Sequence, residues 1–183
     1  MPGTRVAGWV GIQGALSPTG LSNCPGRFAV GKPSERNSPV SEPTRSKLIT
    51  EAWDAAWNRG EVAALDALLA PDYRRISADA GSAAQDATAL KASITAVREA
   101  FPDLRTTIDE IVVDAEGVRA AIRWHSEGTH EGRFTGIPAT GRKVAVSGAT
   151  FARFEGEQIA EEQVTWDPSA LLRALGIIAV GQD

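Results

Sequence analysis

The stretch EEQVTWDPSALLRALG sets a carboxylate, Asp167, between a segment of strand character and a short helix opened by Pro168. A carboxyl group at a strand end, partly shielded from water, titrates above its ordinary range and can take and return protons. Counting by twos from Asp167, Thr165, Gln163 and Ile159 project from one face and Trp166, Val164 and Glu162 from the other. Gln163 is therefore expected beside Asp167. Asp before Pro and a helix is also an N-cap, whose carboxylate accepts a backbone N–H; a tight cap lowers the pKa and makes a poorer acid. Both roles stay open. His130, in GTHEG, has no Cys, His or carboxylate at metal-ligand spacing, so no metal site is expected, and a structural or surface histidine is the plainer reading of it.

No G-x-S-x-G, phosphate loop, dinucleotide fingerprint or H-E-x-x-H is present, which leaves hydride transfer, phosphoryl transfer and zinc hydrolysis without support. Aromatic residues are the other material of a site. Trp53, Trp57 and Tyr73 lie in the helical first half and Trp124 on a later strand; aromatic residues at helical spacing are usually core, but a sheet curling over the helices would enclose them as the wall of a small-molecule cavity.

The elements that must position these residues are legible in the periodicity. Leu48, Ile49, Ala52, Trp53, Ala56 and Trp57 predict a helix ending at Gly60. Val62, Leu65, Leu68 and Leu69 predict a second, closed by Pro71. After a short extended piece around YRRIS, a third runs through Leu90, Ile94, Val97 and Phe101 to Pro102. The period then changes: TTIDEIVVD, VRAAIRWHSEGTH, KVAVSGATFARF and QIAEEQVTW read as strands, and the short turns between them imply antiparallel neighbours. On VRAAIRWHSEGTH, Val118, Ala120, Ile122 and Trp124 form the face toward the helices, while Arg119, Arg123, His125 and Glu127 face water or another subunit. Helices followed by a meander are the order of an α+β domain with the sheet wrapped over N-terminal helices.

The whole chain sets the bounds. Its 183 residues are 43% hydrophobic, enough for one domain. Lys+Arg 19 against Asp+Glu 23 gives a net charge of -4, so neither nucleic acid nor an anionic membrane is an expected partner. No run approaches the length of a membrane helix, and the protein is expected to be soluble and cytoplasmic. A single cysteine, Cys24, excludes an internal disulfide. Residues 1–43 are dense in Gly, Pro and Ser and read as a disordered or irregular leader, or an over-extended start; 44–183 is the expected domain. LSNC superficially matches a lipid-attachment box, but glycines break the run before it.

Four blocks in order, EAWDAAWNRGEVAALDALLAPDY, FPDLRTTIDEIVVD, GTHEGRFTGIPATGRKV and FARFEGEQIAEEQVTWDPSALLRALG, resemble the SnoaL-like polyketide cyclases, also called ester cyclases, over about Arg45 to Ile177. The resemblance implies a cone-shaped α+β barrel of the nuclear-transport-factor-2-like superfamily, often dimeric through the outer face of its sheet. It also implies ring closure of a polyketide by intramolecular aldol condensation without metal or organic cofactor. Asp167 in VTWD corresponds to the family's acid/base and His130 to the histidine of G-T-H-x-G; Gln163 and His130 would contact carbonyl or enolate oxygens. Trp53, Trp57, Tyr73, Trp124 and Phe134 would contact a hydrophobic substrate. One position departs: Ile76 stands where many relatives carry a histidine, which would make the pocket more apolar there. Because one fold hosts many functions, a non-catalytic binding or dimerisation module is the second reading. A limonene-type epoxide hydrolase is the third, and it lacks a second suitably spaced acid on the face of Asp167.

Overall fold

A computed structural model describes residues 42–77 and 83–178. Most of the leader, with Cys24, lies outside the described residues, although the first helix, α1, already starts at Glu42.

Helix α1 (Glu42–Trp53) passes into a π-helical turn, Asp54–Asn58. A 3₁₀ turn (Val62–Ala67) leads into β1 (Leu69–Ser77), followed by α2 (Ala87–Ala100), β2 (Arg105–Val113), β3 (Arg119–Thr129), β4 (Lys143–Glu155), β5 (Gln158–Trp166) and α3 (Pro168–Ala174). The second helix expected from the sequence is thus a short 3₁₀ turn. Pro71 cannot continue a helix, and strand β5 claims the chain before it: Ile159 N–H donates to Leu68 O at 2.8 Å and Gln158 Nε2 to Leu69 O at 3.0 Å.

The sheet has the order β1-β5-β4-β3-β2. β2 through β5 pair as an antiparallel meander, and β1 joins the edge parallel to β5. The sheet is curved but not closed on itself, so the barrel implied by the resemblance is an open one. Register shifts between Ile108 and Glu110 and between Arg153 and Phe154 mark bulges, the usual means of bending a strand. Ala120, Ile122 and Trp124 of β3 are buried as expected against Ile49, Ala52, Ile94 and Ile159; Val118, expected on the same face, is exposed just before the strand begins. Arg119, Arg123, His125 and Glu127 are exposed.

Two polar clamps hold the helices to the sheet. Asn58 uses both ends of its amide on the backbone of β2, accepting from Thr106 N at 2.7 Å and donating to Thr106 O at 3.0 Å. Asp103 accepts from Thr129 N (2.6 Å) and Thr129 Oγ1 (2.8 Å), and the backbone donor is the main reason its carboxyl titrates below the ordinary range. A carboxyl depressed in the native state contributes stability above its unfolded pKa, and that stability is lost as pH falls through the native value. Asp103→Asn is therefore expected to lower the Tm at pH 7, with the difference from wild type fading below about pH 3.9.

Candidate functional site

Between the helices and the inner face of the sheet lies a cavity of about 150 Å³. Trp53 and Trp57 enter it from α1 and the π turn, Trp124 from β3 and Trp166 from the end of β5. Trp53 is the hub, its ring centroid 6.1 Å from Trp57 and 6.4 Å from Trp124. Trp124 Nε1 donates to Thr150 Oγ1 at 3.1 Å, which satisfies that indole inside the wall.

Phe134 closes another part of the wall from the loop between β3 and β4. The loop is fastened by Glu131 and Gly132 N–H groups to Ala100 O (2.9 and 3.0 Å), and only glycine fits at 132, where a Cβ would lie 2.3 Å from Glu99 O. Phe134 meets Phe101 edge-on at 5.5 Å. His130 roots this loop. It is fully buried, stacked on Phe101 at 5.1 Å, with Nδ1 3.1 Å from Thr140 Oγ1 and 3.3 Å from Thr140 N. It does not line the cavity.

Polar groups enter the cavity wall from Thr106 of β2, Ser126 and Glu127 of β3 and Thr150 of β4, and from β1 and β5. Glu162 of β5 lines the cavity, and its Oε2 accepts from Tyr73 Oη of β1 at 2.6 Å. Burial raises the Glu162 pKa; the Tyr73 hydrogen bond and the charge of Arg75 pull the other way without cancelling it. Burial and the neighbouring carboxyl likewise push the Tyr73 phenol up, so Tyr73 remains the donor. Arg75, paired in register with Glu162, also lines the cavity.

Asp167 stands elsewhere. It is the N-cap of α3, accepting from Ser169 N at 2.9 Å and from Arg173 Nη2 at 2.8 Å, and it is not among the residues lining the cavity. Its carboxyl is half exposed, and the Ser169 and Arg173 hydrogen bonds hold it below the ordinary carboxylate range, the reverse of the upward shift expected for a shielded strand end. Gln163 is exposed on the outer face. The alternation of β5 holds only from Glu162 to Trp166, and there the inward side is the other one: Glu162, Val164 and Trp166 line the cavity, and so does Ile159, expected on the face of Gln163, because the register shifts by a bulge at that end of the strand. The signal was available, since an acid that alternates with Val and Trp shares the apolar face, whereas Asp167 lies past the strand end and is a poor origin for counting. Ile76 is on the outer face, 44% exposed, and leaves the cavity unchanged. Of the expected substrate contacts, Trp53, Trp57, Trp124 and Phe134 line the cavity, while Tyr73 is buried behind Glu162.

Among the described residues no helix is long and apolar enough to cross a membrane, and no group of His, Cys, Asp and Glu is placed to hold a metal ion. A comparison with curated proteins gave no match. Solved structures do match. IdmH from Streptomyces antibioticus, assigned as a polyketide cyclase, is 28% identical with a TM-score of 0.62, covering 72% of this chain and 98% of its own. AclR from Streptomyces galilaeus, assigned as a hydroxylase, is 25% identical with a TM-score of 0.66, covering 76% and 89%. A Catenulispora acidiphila protein of ketosteroid isomerase-like fold is similar in fold, at 24% identity and a TM-score of 0.56 over 71% and 93%. Residues 47–175 match the family described as SnoaL-like polyketide cyclase, and with this fold and this cavity the chain belongs to that family.

Proposed function

We propose that the chain closes a ring in a carbonyl-rich, polyketide-like small molecule by intramolecular aldol condensation without a cofactor, with Glu162 moving the protons. The observation that carries this reading is a buried carboxyl, hydrogen-bonded by Tyr73, in the wall of a cavity lined mainly by aromatic and aliphatic side chains. As a carboxylate raised above its ordinary pKa, Glu162 is a stronger base than an exposed acid, suited to taking a proton from a carbon flanked by carbonyls. The same group returns a proton to the forming alkoxide, while the cavity holds the chain folded for attack. Tyr73 is a positioning residue that fixes the carboxyl's orientation. Asp167 serves this reading through α3, whose start it caps next to the cavity residue Trp166.

The test compares Glu162→Gln with Asp167→Asn on a substrate that the wild type cyclises. Activity is expected to collapse in the first and to stay within about threefold in the second, since an N-cap asparagine still accepts the backbone N–H. Loss in Asp167→Asn with an unaffected Glu162→Gln would return the acid/base role to Asp167.

A homodimer through the outer face of the sheet belongs to the same proposal. Val112, Ala121, Phe151, Gln163 and Ile76 follow one another in register across the strands, with Val112 55%, Phe151 53% and Ile76 44% exposed. A row apolar at every position but Gln163, across an open sheet face, is material for a subunit contact. Phe151→Arg is expected to convert a dimer to monomers in sedimentation velocity without changing the circular dichroism spectrum.

A further inference from the structure

Among the described residues Arg75 is the only basic one in the cavity wall, and its surroundings differ from those of the paired arginines. Arg59, Arg123, Arg153 and Arg173 each reach a carboxylate. Arg75 has no carboxylate of a described residue at ion-pair distance; its Nη1 donates instead to a neutral amide, Gln85 Oε1, at 2.6 Å. Gln85 is itself fixed. Its backbone exchanges two hydrogen bonds of 2.8 Å with Arg75, and its Nε2 reaches Ser93 Oγ of α2 at 3.3 Å. The relay aims the guanidinium without neutralising it. The facing charged groups are few: Glu162 lies on the adjacent strand, buried and hydrogen-bonded to Tyr73, and Glu127, the other acid of the wall, is exposed.

A fixed guanidinium at one end of a small aromatic-walled cavity is a carboxylate receptor, because its planar fork matches a carboxylate and the low-polarity wall strengthens the pair. From this we infer that the ligand is an anion, a flat unsaturated or aromatic carboxylic acid whose carboxylate is held by Arg75 while its apolar part lies among Trp53, Trp57 and Trp124. This rests on the reading that the cavity is where a small molecule binds, and it adds the charge of that molecule. Held so, the ligand presents its carbon skeleton to Glu162 on the neighbouring strand.

The test uses benzoate and its neutral isostere benzamide, sized to the cavity because an apolar cavity of about 150 Å³ admits one benzene ring. Binding is followed by titration calorimetry at pH 7.5 and low salt. Wild type is expected to prefer benzoate by roughly ten- to a hundredfold, the range of a charge-assisted hydrogen bond. Arg75→Gln is expected to abolish that preference and leave benzamide within about twofold of its wild-type affinity. Gln85→Ala, which frees the guanidinium without removing its charge, is expected to weaken benzoate binding several-fold and guards against a folding defect in Arg75→Gln. Equal affinities in wild type, a preference surviving in Arg75→Gln, or binding of neither compound would overturn the inference. Glu162→Gln separates the two readings: it is expected to keep the benzoate preference while losing turnover. An inactive Glu162→Gln alongside a wild type indifferent to charge would sink the carboxylate receptor alone.

Discussion

Glu162→Gln is expected to lose about a hundred- to ten-thousandfold in turnover, the usual contribution of a positioned acid/base, while becoming more stable than the wild type at neutral pH. Both halves follow from one geometry. The amide oxygen of the substituted side chain can still accept from Tyr73, so the wall of the cavity is preserved. A carboxyl whose native pKa is raised favours folding in its protonated form; that contribution is full below the unfolded pKa and is lost as pH rises through the native one. Wild type therefore loses stability on this account as pH climbs above about 4.3, and the glutamine protein does not. Thermal melts of both proteins between pH 4 and pH 8 should diverge with rising pH. Parallel melting curves would mean that Glu162 is not a shielded acid, and the catalytic assignment would lose its physical basis.

The second large effect is expected at Gly148, which faces Trp124 across the β3–β4 pair. A Cβ there would lie 2.6 Å from Trp124 Cζ2 and 2.6 Å from Thr165 O. Neither neighbour yields easily, since one is a ring packed against Trp53 and the other is the backbone of β5. Gly148→Ala is expected to cost about 1–3 kcal/mol, the usual penalty of overpacking, read as a lowered urea midpoint at unchanged m. It is also expected to shift tryptophan fluorescence and to weaken ligand binding, because the displaced Trp124 ring is part of the cavity wall. Stability and affinity equal to wild type would show that the ring and strand adjust freely.

How much of this was legible in the chain varies with the range of the interaction. The 3.6-residue recurrence around Ile49 and Ile94 and the period-two strands located most elements, since those patterns record local burial. The start of β1 was misread because Leu65, Leu68 and Leu69 have helical spacing, while the decision belonged to a strand about ninety positions away. Parallel pairing of β1 with β5 has no local signature at all. Trp53, Trp57 and Trp124 were expected in the wall because large aromatic side chains seldom have anywhere else to go, whereas Trp166 was assigned to the opposite face of β5. That Glu162 lines the cavity and Asp167 does not was beyond the reach of alternation, which divides a strand into two faces but does not say which is inside. His130 read as a structural histidine from its type, and in the fold it is enclosed under Phe101.

The hydrogen bond between Tyr73 and Glu162 joins residues 89 positions apart. Closing so long a loop is slow, and contacts of this span appear late in folding. During synthesis Trp53, Trp57 and the guanidinium of Arg75 leave the ribosome well before Glu162 and Trp166, so a nascent chain carries one side of the cavity wall without the strand that completes it. The cavity of such a molecule is enclosed only when its last strand docks between β1 and β4.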